Sequence, residues 1–201
     1  LHMIAYTLEM RPLIRTKKGD KQAVESTALQ HEKEFLVDPP SQFEDGYDEY
    51  LNSVKTAAVL HDWIEEVTED RIEDKYGVTP GQLQAKRSLA DWLLYSCDEL
   101  CDVLDRRDLA STIRRVKKRV NLGVADELLK LTRFDNIGRV RARRLHDNDV
   151  QTTAGIKNTA YESLQDILGK KTAASLKKQV GEDIDPDAVD DDNHGNLLDF
   201  A

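Results

Sequence analysis

Apolar positions recur at helical spacing along most of this chain, and no strand-rich segment interrupts them. Residues 1–10 read as the end of a helix broken at Pro12, Lys17-Lys-Gly-Asp20 as a turn, and 22–36 as helix-like. Pro39-Pro40 interrupts, with Phe43, Tyr47 and Tyr50 set among acids. A long helix is expected over 48–67 on a stripe of Leu51, Val54, Ala58, His61 and Ile64 or Glu65. Trp63 lies on its shoulder, and both His61 and Trp63 read as packing residues. Thr68 can cap a short helix with acids in its first turn, which stops at Gly77. Thr79-Pro-Gly-Gln82 is a strong start signal, because Thr caps, Pro suits the first helical position and Gln completes a capping box. The helix that follows should reach about Leu104 on a stripe of Leu83, Ala90, Leu93, Leu94, Cys97, Leu100 and Leu104. Lys86 or Arg87 would join that stripe through its stem.

Trp92 stands off the stripe, among Ala85, Ser88, Ser96 and Glu99 at turn spacing. A large aromatic with small and polar neighbours either packs on another helix or offers a ring face to a base. Spacing alone leaves both readings open. Cys97 and Cys101, one helical turn apart on the apolar stripe with no histidine close in sequence, read as core thiols. The remaining histidines are scattered, and neither a metal cluster nor a catalytic constellation presents itself.

The chain's most telling pattern occurs twice. Ile137-Gly-Arg-Val-Arg-Ala-Arg-Arg-Leu145 aligns without a gap on Leu168-Gly-Lys-Lys-Thr-Ala-Ala-Ser-Leu176, 31 residues later. Apolar, Gly, basic, Ala and Leu fall in register. Each copy predicts two short helices joined at a glycine, and two copies suggest a tandem helix-hairpin-helix arrangement. Gly138 and Gly169 leave room for a ligand to approach the backbone. Arg139, Arg141, Arg143 and Arg144, and Lys170 and Lys171 in the second copy, gather cations at helix N-termini. Positive charge is disfavoured there unless an anion is present, and a phosphate is the obvious one. A hairpin that only packs is the competing reading. The repeat together with four arginines favours contacts to a nucleic-acid backbone.

At 201 residues the chain allows one or two domains. Its net charge of −9 argues against a polyanion partner until the charge is resolved along the sequence. From Arg106 to Arg144 there are 13 Lys and Arg against 4 Asp and Glu, whereas Glu182 to Ala201 holds 8 acids and no Lys or Arg. Residues 181–201 therefore read as a disordered acidic tail. That tail ends in Leu197-Leu-Asp-Phe200, where Leu197 and Phe200 weakly match the terminal motif by which replication proteins dock on a sliding clamp. A clamp or a single-strand-binding protein is the candidate partner. No signal peptide and no membrane-spanning run is found, so a cytoplasmic, nucleoid-associated protein is expected. The chain opens on Leu1, and a piece of a longer protein is expected.

The run Lys55-Thr-Ala, Leu60-His-Asp-Trp63-Ile-Glu-Glu, Asp74-Lys-Tyr-Gly-Val78-Thr-Pro-Gly-Gln-Leu83 and Ala90-Asp-Trp92-Leu carries a resemblance. With Gly123-Val-Ala-Asp-Glu-Leu-Leu129 and Ile137-Gly-Arg-Val-Arg-Ala-Arg143, it resembles the C-terminal part of archaeal Hjm/HelQ-type superfamily 2 DNA helicases over about residues 1–180. The resemblance implies an all-α fold with a ratchet helical bundle over 1–122, a helix-hairpin-helix domain over 123–180 and the tail. It places Trp92 on the family's base-stacking tryptophan. The family's arginine two turns earlier falls near Ala85, with Gln84 and Lys86 beside it; this departs from the family's second stacking contact, and Lys86 is the residue expected to contact DNA there. Arg139, Arg141 and Arg143 fall on the arginine-rich motif of the terminal domain. The implied function is guidance of single-stranded and forked DNA for an ATP-dependent 3′–5′ helicase. No Gly-x-x-x-x-Gly-Lys-Ser/Thr loop occurs, so ATP and magnesium would belong to motor domains of the parent protein and no cofactor to this segment. A free-standing DNA-binding module and a helical protein-interaction module are the alternatives.

Overall fold

The computed structural model describes residues 1–182, all of whose regular structure is helical, as the periodicity predicts. The expected tail residues Leu197 and Phe200 lie outside the described residues. Contacts divide the chain into two compact units, one spanning Leu1–Asp126 and a second beginning at Glu127.

In the first unit α1 (His2–Ala5) and a 3-10 turn (Leu8–Met10) precede α2 (Lys21–Gln30). The helix expected over 22–36 thus ends early, continuing only as a 3-10 turn at Glu32–Glu34. Next come α3 (Tyr47–Ile64), α4 (Glu69–Tyr76), α5 (Pro80–Val103) and α6 (Arg107–Leu122). The start and stop signals work as the sequence chemistry demands. Thr68 accepts from the Arg71 backbone N–H, and Gly77 ends α4 at φ 65°. Thr79 and Gln82 form the reciprocal capping box in front of Pro80. α5 and α6 run antiparallel, since Arg87 bonds the Asn121 carbonyl near one end and Arg114 bonds Asp98 near the other.

Trp63 is the wedge between α3, α5 and α6. It is 5% exposed, donates its indole N–H to the Val120 carbonyl at 2.8 Å, and carries the Arg87 guanidinium 3.9 Å from a ring centroid. Gly123 closes α6 at φ 64°, and a Cβ there would come within 2.3 Å of the Trp63 ring. Gly123 is therefore demanded twice, by the backbone turn and by the indole against it. The residues that follow are also tied to the first unit, which spans Leu1–Asp126. Gly123 lies against Trp63, the Val124 carbonyl accepts from Arg119, and the Ala125 N–H is held by Glu66.

Two expectations about packing fail. His61 is exposed, because α3 turns that position outward while Leu60, Trp63 and Ile64 face the core. On α5 the core cluster includes Leu83, Ala90, Leu93 and Leu94 and reaches half-buried Cys97, but Leu100 and Leu104 are exposed. Periodicity reveals which positions share a face; it does not reveal where the opposing helices stop.

The second unit contains a 3-10 helix (Asp126–Lys130, whose first residue closes the first unit), then α7 (Arg139–Asp147), α8 (Thr153–Asn158), α9 (Tyr161–Leu168) and α10 (Lys170–Gln179). The internal repeat is realised in its core. Ile137, Ala142 and Leu145 are buried, and so are their counterparts Leu168, Ala173 and Leu176. The two copies are not equal in backbone. The second is two α-helices meeting at Gly169, whereas the first has only the 3-10 helix and turns before α7.

Candidate nucleic-acid interface

Two separate surfaces hold the residues singled out by sequence. The first is the outer face of α5. Trp92 is 53% exposed, although Leu93 and Leu94 beside it are buried. The helix is pinned from its inner side, so this ring is held outward by a rigid element. Part of the pin is Lys86, expected beside the strand. The structure places it elsewhere: Lys86 is 6% exposed and donates to the Met10 and Pro12 carbonyls at 2.7 and 2.6 Å. Burial lowers its pKa. Its ammonium anchors the segment before α2, and no face of it is offered to a phosphate. The alternative in which Lys86 joins the apolar stripe by its stem describes it better.

Most arginines of the basic run around α6 are engaged by acids. Arg106 bonds Asp108 through two nitrogens at 3.0 Å, which raises the Arg106 pKa and holds the Asp108 carboxyl below its usual range. Arg114 reaches Asp98 at 2.8 Å, Arg115 reaches Asp126 at 3.1 Å, and Arg119 reaches Glu65 at 2.5 Å. The run's positive balance thus overstates the charge that α6 presents outward. Lys117 differs, standing over the Tyr95 ring 4.8 Å from its centroid. Neither residue was singled out by sequence reasoning. Tyr95 sits three positions after Trp92, a spacing that puts the two rings on neighbouring parts of one helix face. That spacing was the available signal.

The second surface lies at the starts of α7 and α10. Gly138 and Gly169 occupy the N-cap positions, so neither helix start has a capping side chain of its own, and a Cβ at either glycine would meet nothing within 4 Å. Both helix starts are open to a ligand. Gly169 has φ 83° and needs to be glycine; Gly138, at φ −86°, does not, and in the first copy the left-handed residue is Asn136 at φ 63°. Arg141 bonds the Asn136 carbonyl at 2.8 Å, bracing that turn. Arg143 bonds Glu127 at 2.8 Å, and this contact holds the Glu127 carboxyl below its ordinary range. Arg144 and Lys171 are exposed, while Arg139 and Lys170 are partly buried. Among the described residues no group of three His, Cys, Asp or Glu could hold a metal ion, and no helix is long and apolar enough to cross a membrane.

A helical bundle with an exposed tryptophan on its longest helix, followed by a small unit of glycine-entered basic helices, defines the class: an all-α module of two units. Residues 1–123 match the family model described as archaeal helicase, domain 4, and the chain belongs to that family. It is 34% identical over 174 residues to the ATP-dependent DNA helicase Hel308 of Thermococcus kodakarensis, covering 84% of this chain and 16% of that protein. To the ATP-dependent DNA helicase Hel308 of Methanocella arvoryzae it is 30% identical over 189 residues, covering 92% of this chain and 25% of that protein. The chain therefore spans a quarter or less of the length of these relatives.

Proposed function

We propose that this chain is the single-strand-guiding part of an ATP-dependent 3′–5′ DNA helicase that acts on forked or stalled-replication DNA. The observation that carries the reading is Trp92, a large ring held half in solvent on the longest helix of a unit that belongs to an archaeal helicase family. In this reading the first unit is a ratchet, with a single strand lying along α5 and one base stacked on Trp92. The second unit is a tandem helix-hairpin-helix domain. Its backbone N–H groups at Gly138 and Gly169, with Arg139, Arg141, Arg143, Arg144, Lys170 and Lys171 around them, receive phosphates and do not read bases. ATP and magnesium would act in motor domains that these 201 residues do not include, since no phosphate-cradling loop occurs among them. Leu197 and Phe200 would dock the tail on a sliding clamp or a single-strand-binding protein.

The test is Trp92→Ala in the whole chain, titrated against a labelled single-stranded oligonucleotide. Loss of one base–aromatic stack should weaken binding by about 1–3 kcal/mol with little change in melting temperature. A variant that unfolds would show that Trp92 packs. Unchanged affinity in a folded variant would refute the stacking role.

A further inference from the structure

Trp92 does not stand alone on its helix face. Tyr95 follows one turn later, 49% exposed, and Lys117 from α6 reaches across to stand 4.8 Å from the centre of its ring. The neighbouring cations of α6 are differently employed, Arg114 on Asp98 and Arg115 on Asp126. Lys117 is held by a ring instead of a carboxylate, so its charge is not neutralised where it sits. Glu99 stands at the phenol hydroxyl. Its charge and its hydrogen bond with the Tyr95 hydroxyl raise the phenol's pKa, so the ring stays neutral.

We propose that Tyr95 and Lys117 form a second nucleotide contact on this face, Tyr95 packing against the base or sugar next to the one on Trp92 and Lys117 taking its phosphate. This rests on the reading of Trp92 as a base-stacking residue. Two chemical features fit a nucleotide better than a protein side chain. An aromatic ring with a cation over one face that no carboxylate engages pairs a flat apolar surface with an anion site, which is the complement of one nucleotide. Glu99 repels a phosphate from the hydroxyl end of the ring, so the backbone of the strand is drawn to Lys117. The rings of Trp92 and Tyr95 rise from positions about 4.5 Å apart along the helix axis, a step short enough for adjacent nucleotides to use both.

The experiment titrates the whole chain with a fluorescein-labelled oligothymidylate at several salt concentrations, for the wild type and for Tyr95→Leu, Tyr95→Phe, Lys117→Gln and Trp92→Ala. Tyr95→Leu should weaken binding about tenfold, within the range set by one lost stack. Tyr95→Phe should bind like the wild type, because the ring and not the hydroxyl makes the contact. Lys117→Gln, a change at the surface that leaves the bundle folded, should lower the slope of log affinity against log salt by about 0.7, the value for one phosphate on a single strand. Wild-type affinity for Tyr95→Leu and an unchanged slope for Lys117→Gln, with Trp92→Ala weakened, would overturn this contact and leave the stacking on Trp92 intact. If Trp92→Ala also binds like the wild type, the reading of the whole face falls.

Discussion

Gly123→Ala tests the central packing claim, because its effect should depend on which ring stands at position 63. An alanine there meets two separate penalties. The backbone at φ 64° costs a residue with a Cβ about 1–2 kcal/mol, partly offset by about 0.4–1 kcal/mol from a stiffer unfolded chain. The new methyl would also fall 2.3 Å from Cζ2 and 2.5 Å from Cε2 of Trp63, and relieving that overlap by shifting packed helices costs about 1–3 kcal/mol. Trp63→Phe removes those benzo-ring atoms. It has its own cost, since the Val120 carbonyl loses the indole N–H that now lies 2.8 Å away, about 1–3 kcal/mol for a buried acceptor left alone. In the double variant the overlap is gone while the backbone strain remains. The two single losses should therefore exceed the double loss by about 1–3 kcal/mol. Urea unfolding followed by far-ultraviolet circular dichroism on the four proteins measures this coupling. Additivity within about 0.5 kcal/mol would refute the assignment of Trp63 as the object against which Gly123 is selected.

Three further outcomes follow from individual contacts. Lys86→Met should destabilise the first unit by about 1–3 kcal/mol by stranding the Met10 and Pro12 carbonyls, and should leave the salt slope of oligonucleotide binding unchanged; a slope that falls would return Lys86 to the strand. Glu127 has a folded pKa below its ordinary 4.5 because Arg143 bonds it, so its contribution to stability is complete above that value and is lost as pH falls through the lower one. Arg143→Ala should move the Glu127 carboxyl resonance's titration midpoint upward in a carbon-detected NMR series, and an unmoved midpoint would refute the pairing. Arg144→Gln should weaken oligonucleotides of every sequence alike and lower the single-strand salt slope by about 0.7, whereas sequence-selective loss would count against a phosphate contact.

Local chemistry was the most legible part of the chain. The caps at Thr68 and Thr79, the stop at Gly77, and the buried register of the repeat all rest on interactions spanning a few residues, which a sequence displays directly. What escaped depends on partners distant in sequence. The roles of His61 and Leu100 turn on where other helices end. Lys86 could be a core stem or a strand contact until its ammonium was seen against carbonyls 76 and 74 residues away. The charge of α6 was overstated for the same reason, because Asp98 and Glu65, which engage Arg114 and Arg119, lie outside the basic run. In the second unit, Asn136 takes the left-handed conformation that the repeat pattern assigns to the glycine turn. A gapless alignment conveys which side chains are buried, but the backbone path between them is free to differ.

The residues that fasten α5 also explain why its outer face can be spared for another purpose. Lys86 holds it to the segment before α2, Arg87 lies on Trp63 and bonds the end of α6, and Leu83, Leu93 and Leu94 fill the core. With these contacts on its inner and lateral sides, the helix does not need Trp92 or Tyr95 for its stability. An aromatic ring half in water forfeits much of the hydrophobic gain its size would bring in the core. Two such rings one turn apart, on a helix already anchored along its inner face, fit the proposed nucleotide contacts. Under that proposal the ordering cost is small, because a ring on a rigid helix gives up little freedom when a base settles on it.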